Sequence, residues 1–473
     1  MKGDTICALA TAQGGAINVI RISGERAVEL VSGIFVPKGN VPLEQRKSHT
    51  VIFGDLCTDG REILDEVLVT VMRAPHSYTG EDCVEISCHA SVYITQQIML
   101  SLLDMGARQA DPGEFTMRAF LNGKMDLSRA EAVADLVAST SRASHRLAMN
   151  QLKGGFSQEL GNLRNKLLKL TTLMELELDF SEEDVAFADR EELLQLCDEV
   201  EAVISRLAGS FSVGNAVKNG VPVAIVGETN AGKSTLLNAL LHEDRAIVSD
   251  ICGTTRDTIE GVMNLSGVAF RFIDTAGLRE TRDVVERMGI ERTLEQLKKS
   301  SIALWIIDPT ADAAQIEELA RKLLPVCAGK KLAILANKCD VVDPITLSKA
   351  MEWAKLMLGK YGDGVDWEQR DMWAISARQG TNMDRLEEFL VRSAAMPSIA
   401  AEDVVVTNVR HYEALVRALE NIAEVKRGLA DGLPGDLVSE HLRASIGNLS
   451  EIVGEVTNDE ILGNIFANFC IGK

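Results

Sequence analysis

The spacing of apolar and polar positions changes three times along this chain, and the changes predict separate domains. Short β-branched runs separated by turns fill residues 4–90. They predict strands at residues 5–11, 17–22, 49–56, 66–72 and 83–88. A helix-like stretch at 92–105 closes this region, so the pattern predicts a compact α+β domain over residues 1–122.

From about residue 125 the spacing becomes helical and stays so to about residue 208. Within it, leucines recur at coiled-coil-like intervals, at 160, 163, 167, 170 and 173. The run Ser128-Arg-Ala-Glu131 predicts a capping box at its start. Helical spacing returns after residue 395, as in 411–425. We therefore predict one discontinuous helical domain, built from residues 123–219 and 396–473, into which a domain of residues 220–395 is inserted.

The inserted region begins with a buried strand at 221–226, the octet Gly-Glu-Thr-Asn-Ala-Gly-Lys-Ser at 227–234, and a helical pattern at 235–241. This order is the context that a phosphate-binding loop requires. Lys233 is expected to reach the β- and γ-phosphates of a nucleotide, and Ser234 to ligate Mg²⁺. The residues expected to hold the phosphates are Asn230, Ala231, Gly232, Lys233, Ser234 and Thr235.

Three further motifs follow strand-like runs in the order that GTP-binding proteins use. Asp274-Thr-Ala-Gly277 could hold the Mg²⁺ shell and sense the γ-phosphate. In the next motif, Asp340 could accept hydrogen bonds from guanine N1–H and the N2 amine, two donors that adenine lacks. Alone, each tetrapeptide is typical of an ordinary turn, but the series predicts GTP binding. The residues assigned to guanine are Asn337, Lys338, Asp340, Ser376, Ala377 and Arg378.

The catalytic machinery departs from the glutamine that many GTPases place directly after this second motif. Leu278 occupies that position and cannot orient water, so another polar group and another cation are needed. The side-chain carbonyl of Asn230 suits a monovalent cation, and residues 249–257 could wrap over it, with Thr255 completing the Mg²⁺ site. Candidates for positioning the water are acidic, although the same stretch is also typical of a solvated helix face: Glu280, Asp283 and Glu286.

Composition limits the class of protein. A length of 473 residues predicts about three domains, and 46% hydrophobic with 25% charged residues is typical of globular proteins. Nine cysteines without metal-ligand or disulfide-like spacing predict a reducing compartment. With no signal sequence and no apolar stretch of about 18 residues, we expect a cytoplasmic protein that does not enter a membrane.

The net charge of −20 argues against a broad nucleic-acid-binding face. Basic residues cluster only locally, as at Arg142-Ala-Ser-His-Arg146 and Arg164-Asn-Lys166. Any contact with RNA is therefore expected to be local, or shared with a basic partner.

The runs Thr79-Gly-Glu-Asp82, 113–136 and Cys470-Ile-Gly-Lys473, together with the inserted GTPase, resemble the tRNA-modification GTPase family MnmE, also called TrmE. The resemblance covers essentially the whole chain. It implies a multidomain α/β and α protein, with an N-terminal α+β folate-binding domain that forms a homodimer, a discontinuous helical domain, and an inserted Ras-like P-loop GTPase domain activated by K⁺. Such proteins act with an FAD-containing partner, MnmG or GidA. Together they add an aminomethyl or carboxymethylaminomethyl group to C5 of the tRNA wobble uridine. A tetrahydrofolate derivative, the 5,10-methylene or 5-formyl form, supplies the carbon.

The resemblance also implies roles for individual residues. The folate contacts would be Arg21, Glu81, Lys124 and Lys473, although Arg21 and Glu81 could instead form a surface ion pair. Cys470 is a catalytic candidate, with an ordinary buried thiol as the alternative. Glu286 would position the water. The K⁺ ligands would be Asn230, Ser249, Ile251 and Thr254, so Ser249, Thr254 and Thr255 join the GTP site.

The sequence departs from the family pattern at three places, and two other classes of GTPase remain as alternatives. Glu228-Thr229 stands where the family usually has a basic or variable residue and then proline, and residues 11–18 and 88–91 also differ. A ribosome-assembly GTPase would need a basic RNA-binding module, and no such pattern follows residue 395. A regulatory GTPase whose flanks only dimerise is the other alternative.

Overall fold

The computed structural model describes most of the chain, and some predicted functional residues fall outside the described ranges. The described residues are 3–57, 62–179, 190–228, 230–242, 261–273, 294–394, 404–433, 435–456, 459–467, 469 and 472. The predicted functional residues outside them are Ser249, Ile251, Thr254, Thr255, Asp274, Gly277, Glu280, Asp283, Glu286, Cys470 and Lys473.

Strands and helices are numbered here in chain order. The strands are β1 (Ile6–Leu9), β2 (Ile17–Ser23), β3 (Phe35–Pro37), β4 (Thr50–Cys57), β5 (Ile63–Met72), β6 (Cys83–His89), β7 (Arg108–Gln109), β8 (Val221–Gly227), β9 (Gly261–Leu265), β10 (Val268–Phe272), β11 (Ile302–Ile307), β12 (Lys331–Ala336) and β13 (Met372–Ala374). The helices are α1 (Ala27–Ile34), α2 (Val92–Asp104), α3 (Glu114–Leu121), α4 (Leu127–Ala138), α5 (Arg142–Leu152), α6 (Gly155–Asp179), α7 (Arg190–Gly209), α8 (Phe211–Asn219), α9 (Lys233–His242), α10 (Ala313–Leu323), α11 (Pro344–Tyr361), α12 (Met383–Ser393), α13 (Val409–Asp431), α14 (Gly435–Val453) and α15 (Asp459–Phe466).

The chain divides into two compact units. Unit 1 comprises Met1–Val137, Gln151–Ile204 and Ala414–Lys473, and unit 2 comprises Ala138–Asn150 and Ser205–Glu413. Neither unit is continuous in sequence, because unit 2 interrupts unit 1 twice. Among the helices of the described residues, none has the length and apolar character needed to span a bilayer.

Unit 1 contains a seven-stranded sheet in the order β3-β4-β5-β6-β2-β1-β7. All neighbouring strands are antiparallel except β1 and β7, which are parallel. Helices α1 and α2 contribute to the hydrophobic core on one side of this sheet, as the burial of Val31 and Leu102 illustrates. The five predicted strands and the helix at 92–105 are confirmed.

The sequence patterns missed the shorter elements of this region, which are α1, α3, β3 and β7. Helix α1 has eight residues, and five of them are buried. Two turns give too few repeats for the helical spacing to stand out from neighbouring strand-like runs. A two-residue strand such as β7 leaves no alternation to detect.

The helical part of unit 1 confirms the predicted long helix and corrects its predicted cap. Of the five leucines singled out by their spacing, Leu173 on α6 is half-buried, and the other four are buried: Leu160, Leu163, Leu167 and Leu170. The predicted capping box at Ser128 is wrong, because α4 begins one residue earlier. Asp126 Oδ1 supplies the acceptor instead, for Arg129 N at 3.0 Å and Ser128 Oγ at 2.9 Å.

Unit 2 contains a six-stranded sheet in the order β13-β12-β11-β8-β10-β9, with only β9 antiparallel to its neighbour. All six residues of β11 are buried. Leu304 and Ile306 face the core that contains α9 and α12, whereas Trp305 faces the core that contains α10 and α11. A parallel sheet covered on both faces explains why its strands are continuous apolar runs.

Within unit 2, the segment before β8 and the segment after α12 are held together. Val406 N donates to Ser210 Oγ at 3.0 Å, and the rings of Phe211 and Tyr412 stack 4.6 Å apart. A Cβ at Gly214 would lie 2.1 Å from Val406 O. Glycine therefore permits this close backbone approach.

Candidate functional site

The phosphate loop follows β8 and ends where α9 begins at Lys233. Gly232 has a φ of +100°, and a Cβ there would lie 2.1 Å from Asn337 Nδ2. Asn230 also has a positive φ, +66°, and its side chain is exposed. The loop therefore needs glycine at 232, and it presents the Asn230 amide outward.

Lys233 folds back onto the loop that precedes it. Its Nζ donates to Gly227 O at 2.8 Å and to Glu228 O at 2.7 Å. Burial lowers the pKa of Lys233, and the charge of Glu228 partly offsets this effect. The ammonium group thus lies inside the turn that the motif predicts to surround phosphate oxygens.

Glu228 is a feature of this loop that family resemblance did not predict. Both carboxylate oxygens are shielded from solvent and lack a hydrogen bond of good geometry within the described residues. Burial raises the pKa of Glu228, and the backbone groups of Glu228 and Asp308, followed by the charge of Lys233, act in the opposite direction. The phosphate loop therefore contains a buried carboxylate beside its lysine.

Asn337 joins the phosphate loop to the loop after β13. Its Nδ2 donates to Ala231 O at 2.8 Å, and its Oδ1 accepts from Ala377 N at 3.0 Å. Both hydrogen bonds are buried. The structure thus brings together residues from three predicted motifs at the carboxyl ends of parallel strands, where open α/β sheets bind ligands.

Lys338 has a φ of +66° and forms an ion pair with Asp308, with Nζ 2.5 Å from Oδ2. Burial raises the pKa of Asp308, but hydrogen bonds from Lys338 and Thr310 bring it below its usual value. Sequence reasoning missed Asp308. Its position directly after a buried strand was the signal that could have identified it.

Asp340 and Ser376, both assigned to guanine by the sequence, differ in their exposure. Asp340 lies in the turn after β12 and is exposed, and its carboxylate forms no hydrogen bond with another described residue. Ser376 and Ala377 are buried, and Ser376 O accepts from Gly380 N at 2.9 Å to close the turn. An exposed carboxylate beside a fixed backbone turn can recognise a base that carries two adjacent donors.

The remaining predicted residues of this site occupy varied positions. Ser234 is half-buried, whereas Thr235 and Arg378 are exposed. Of the predicted K⁺ ligands, only Asn230 lies within the described residues.

Three of the predicted folate contacts, Arg21, Glu81 and Lys124, are described in unit 1, and Arg21 and Glu81 do not form the surface ion pair that was the alternative. Arg21 Nε lies 2.9 Å from Glu85 Oε1, because Arg21 on β2 faces Glu85 on β6. Glu81 instead accepts from Ser23 Oγ at 2.7 Å and pairs with Arg118 at 3.3 Å. The alternative of an Arg21–Glu81 ion pair is therefore wrong.

The Arg21 guanidinium group connects several segments of unit 1. It lies 5.7 Å from the ring centre of Tyr78 and 5.6 Å from that of Phe115. Its Nη1 donates to Gly472 O at 2.9 Å. Lys124 Nζ donates to Pro75 O at 2.8 Å. A planar cation next to two aromatic rings and a carboxylate is a suitable environment for a flat ligand that carries negative charge.

Arg118 lies behind Glu81 in a buried charge network that the sequence patterns did not predict. The Arg118 and Glu114 side chains are 6% and 1% exposed, and their closest atoms are 3.0 Å apart. Arg118 also pairs with Asp4 at 2.7 Å, and Arg108 pairs with Asp4 at 2.8 Å and with Glu114 at 2.5 Å. Arg108 also lies 3.6 Å from Asp111, so two arginines pair with four carboxylates, including Glu81.

Comparison with protein families gives matches along nearly the whole chain. The family described as "GTP-binding protein TrmE N-terminus" matches residues 5–124, and the family described as "MnmE helical domain" matches residues 127–470.

Relatives named "tRNA modification GTPase MnmE" match over their full length. The protein of Bacteroides thetaiotaomicron is 54% identical over 474 residues, covering 100% of each chain. That of Flavobacterium johnsoniae is 48% identical over 479 residues, covering 99% of each chain.

A solved structure of an Era variant from Aquifex aeolicus bound to GDP and AlF4⁻ is 26% identical. It covers 42% of this chain and 66% of that chain, with a TM-score of 0.28.

Proposed function

The chain belongs to the MnmE (TrmE) family of tRNA modification GTPases, and from this premise we propose how it performs that task. It is a GTP hydrolase that acts in tRNA modification. We propose that K⁺ activates hydrolysis. We also propose that the protein acts as a homodimer with the FAD-containing partner MnmG (GidA), on a one-carbon unit from tetrahydrofolate. In this proposal the product is an aminomethyl or carboxymethylaminomethyl group on C5 of the wobble uridine.

The observation that best supports binding of a guanine nucleotide is the pair of hydrogen bonds formed by Asn337. It fixes the phosphate loop to the loop around Ala377 through two buried hydrogen bonds. Because Asp340 is exposed nearby in sequence and Lys233 lies within the phosphate loop, both ends of a guanine nucleotide would meet suitable groups. Lys233 would exchange two carbonyl acceptors for charged phosphate oxygens, and charge-assisted hydrogen bonds are the stronger ones.

Activation by K⁺ is proposed from Asn230 and Leu278. The Asn230 amide is exposed on the phosphate loop, so its oxygen is available to a cation. Ser249, Ile251 and Thr254 would supply the other oxygens, and Glu286 would position the water. A bound K⁺ would supply positive charge where the transition state of phosphoryl transfer gains negative charge. Mg²⁺ would be held by Ser234 and Thr255.

A folate site is proposed around Arg21 and Glu81. Ser23 and Arg118 hold the Glu81 carboxylate, which could accept hydrogen bonds from the aminopyrimidinone ring of a folate. Arg21 and Lys124 would attract its anionic tail. Lys473 is proposed to join them, and Cys470 stays a catalytic candidate.

A homodimer is proposed from an apolar surface of the unit 1 sheet, here called the outer sheet face and defined by Val36, Val51, Phe53 and Leu68. These side chains are 55%, 62%, 49% and 47% exposed, respectively. They lie on three adjacent strands, and Phe53 is the cross-strand partner of Leu68. A contiguous exposed apolar face of this kind is typical of an interface between proteins.

The K⁺ requirement is tested by GTP turnover of the full-length protein in KCl and in NaCl. We expect faster turnover in KCl, and we expect Asn230→Ala to remove the difference. Asn421→Ala is a matched control, because Asn421 lies on α13 in unit 1, where its half-buried amide bonds Arg417 O and His441 Nδ1. Equal wild-type rates in the two salts would contradict the proposed cation site.

The modification reaction is tested by nucleoside mass spectrometry of tRNA from cells that lack this protein. We expect loss of the C5 modification and its return with the wild-type gene. A chain without residues 470–473 should hydrolyse GTP but fail to restore the modification. If this truncated chain restores it fully, the alternative of a regulatory GTPase whose flanks only dimerise is favoured.

A further inference from the structure

One of the two basic clusters in the sequence forms an exposed surface on α5. Arg142, His145 and Arg146 are exposed, and their spacing places them on one side of the helix. Leu147 and Ala148 on the same helix are buried, at 8% and 4% exposure. We call the three exposed residues the α5 basic stripe.

The two basic clusters differ in whether their charges are neutralised. In the other cluster, Arg164 lies 3.2 Å from Glu455, and Lys166 lies 2.7 Å from Glu199. In the α5 basic stripe, by contrast, no side chain forms an ion pair or hydrogen bond with any other described residue. The stripe is therefore a local positive surface in a chain whose net charge is −20.

The start of α5 is held in place by specific hydrogen bonds. Ser141 Oγ accepts from Ser144 N at 3.1 Å, and Ser144 Oγ accepts from Ser141 N at 3.1 Å. Just before the helix, Thr140 O accepts from Asn264 Nδ2 at 2.8 Å. These hydrogen bonds fix the first turn of the helix that carries the α5 basic stripe.

The bond to Asn264 also connects the stripe to the GTPase sheet. Asn264 lies on β9, which pairs with β10 in an antiparallel hairpin. In sequence, this hairpin lies between residues 249–257 and the motif that begins at Asp274, the two segments proposed to contact Mg²⁺ and the γ-phosphate.

We propose that the α5 basic stripe binds the phosphate backbone of tRNA. This inference rests on the proposed function, because it assigns a surface to the RNA substrate of that reaction. A strongly acidic chain repels RNA over most of its surface, so contact is favoured where unpaired arginines are exposed. Guanidinium groups bind phosphate with two parallel hydrogen bonds, which a neutralised cluster cannot offer as readily.

The test is the affinity of the full-length protein for an unmodified tRNA transcript with a uridine at the wobble position. We expect Arg142→Gln with Arg146→Gln to weaken binding about tenfold or more at low salt. The slope of log affinity against log salt should become shallower by about 1.4–1.8, because two phosphate contacts are lost. Arg142→Lys with Arg146→Lys should retain most of the binding.

Arg164→Gln with Lys166→Gln is the matched control, since it removes the same charge from the neutralised cluster. An equal loss in the control would overturn the proposal, because only net charge would then matter. Wild-type affinity and slope in the α5 variant would also overturn it. So would equal competition by polyglutamate and RNA of equal charge, which would indicate a general anion surface.

Failure of this inference can be distinguished from failure of the proposed function. If wild-type protein restores the tRNA modification in cells but the α5 variant binds the transcript like wild type, only the stripe is excluded. If wild-type protein restores no modification, the proposed function itself fails. GTP turnover without tRNA should be the same in the α5 variant and the wild type, which controls for folding of unit 2.

Discussion

Asn337 is the residue on which the geometry of the nucleotide site most depends. Asn337→Ala would leave Ala231 O and Ala377 N without their buried partners, and each unsatisfied group costs about 1–3 kcal/mol. We expect affinity for a fluorescent GTP analogue to fall about tenfold or more. Asn421→Ala should leave affinity within about twofold, because that amide is in unit 1 and bonds Arg417 O and His441 Nδ1, whereas the nucleotide site is in unit 2. Unchanged affinity in the first variant would contradict the bridging role.

Arg118 is the corresponding residue in unit 1. Arg118→Gln removes one partner from a buried ion pair with Glu114, so we expect the free energy of unfolding to fall by about 3–5 kcal/mol. All four tryptophans lie in unit 2, so tryptophan emission cannot report this loss. The loss of stability can instead be measured by hydrogen exchange of the β1 and β2 amides in denaturant.

The control for Arg118 is Arg427→Gln, which removes an arginine from the exposed pair with Glu424. Exposed pairs contribute about 0–1 kcal/mol, so little change is expected. If both variants lose the same free energy of unfolding, the buried ion pairs of Arg118 stabilise unit 1 no more than the exposed pair of Arg427 does.

The same network makes the stability of unit 1 depend on pH. Burial raises the pKa of Asp4 and of Glu114, but hydrogen bonds from Arg108 and Arg118 bring both below their ordinary values. A folded-state pKa below the unfolded value contributes stability above the unfolded pKa of about 4. This contribution is lost as pH falls through the folded-state pKa.

We therefore expect the stability difference between wild type and Arg118→Gln to be full at pH 7 and to shrink below about pH 4. The measurement is hydrogen exchange of β1 and β2 in denaturant across this pH range. A difference that stays constant into strong acid would contradict the assignment.

At the residue scale, the sequence identified the motifs but not the side-chain contacts that fix their residues in place. The roles proposed for Lys233, Asn337 and Asp340 rest on their spacing along the chain. The pairing of Arg21 with Glu85 could not, because it depends on the register between β2 and β6. Asp308 escaped for a similar reason, since its partner Lys338 lies 30 positions along the chain.

At the scale of elements, the outer sheet face leads to a prediction about assembly. Phe53→Asp with Leu68→Asp places two charges on adjacent strands of this face, so the proposed dimer should dissociate. Light scattering after size exclusion should then give half the wild-type mass. Val341→Asp with Ile345→Asp is the control, because these exposed apolar residues lie in unit 2. A monomeric wild type, or a dimeric Phe53/Leu68 variant, would contradict the proposed interface.

Element length decided which parts of the fold the sequence could predict. Strand β5 with ten residues and helix α6 with 25 contain several periods of alternation, and both were predicted. Helix α1 and strand β7 contain too few. The cap of α4 was misassigned because two acceptors, Asp126 and Ser128, stand two residues apart, and only the backbone decides between them.

At the scale of the whole molecule, the proposed ligands should stabilise different units. GTP at about 100 times its dissociation constant adds about 2.7 kcal/mol to the state that binds it. Thermal unfolding monitored by tryptophan emission should therefore shift upward with GTP, since all four tryptophans are in unit 2. 5-Formyltetrahydrofolate should instead slow hydrogen exchange in β2 and β6 without shifting the tryptophan transition. The reverse pattern would mean that the ligands are assigned to the wrong units.

The sequence predicted an inserted GTPase because the helical spacing stops and later resumes. The domain boundaries drawn from that spacing remain a prediction. The grouping of residues 138–150 with unit 2 was beyond the pattern, since it involves contacts such as that of Thr140 with Asn264, 124 positions apart. Periodicity describes neighbours in sequence, whereas such contacts depend on tertiary packing.

The hydrogen bond between Val406 and Ser210 also has a consequence for how the inserted region could be exchanged between proteins. The segment before β8 contacts the segment after α12. The region between Ser210 and Val406 could therefore be gained, lost or exchanged as one piece without separating the helices on either side of it. The join would need only a few residues to span. The same junction is therefore a natural place at which to build chimaeras.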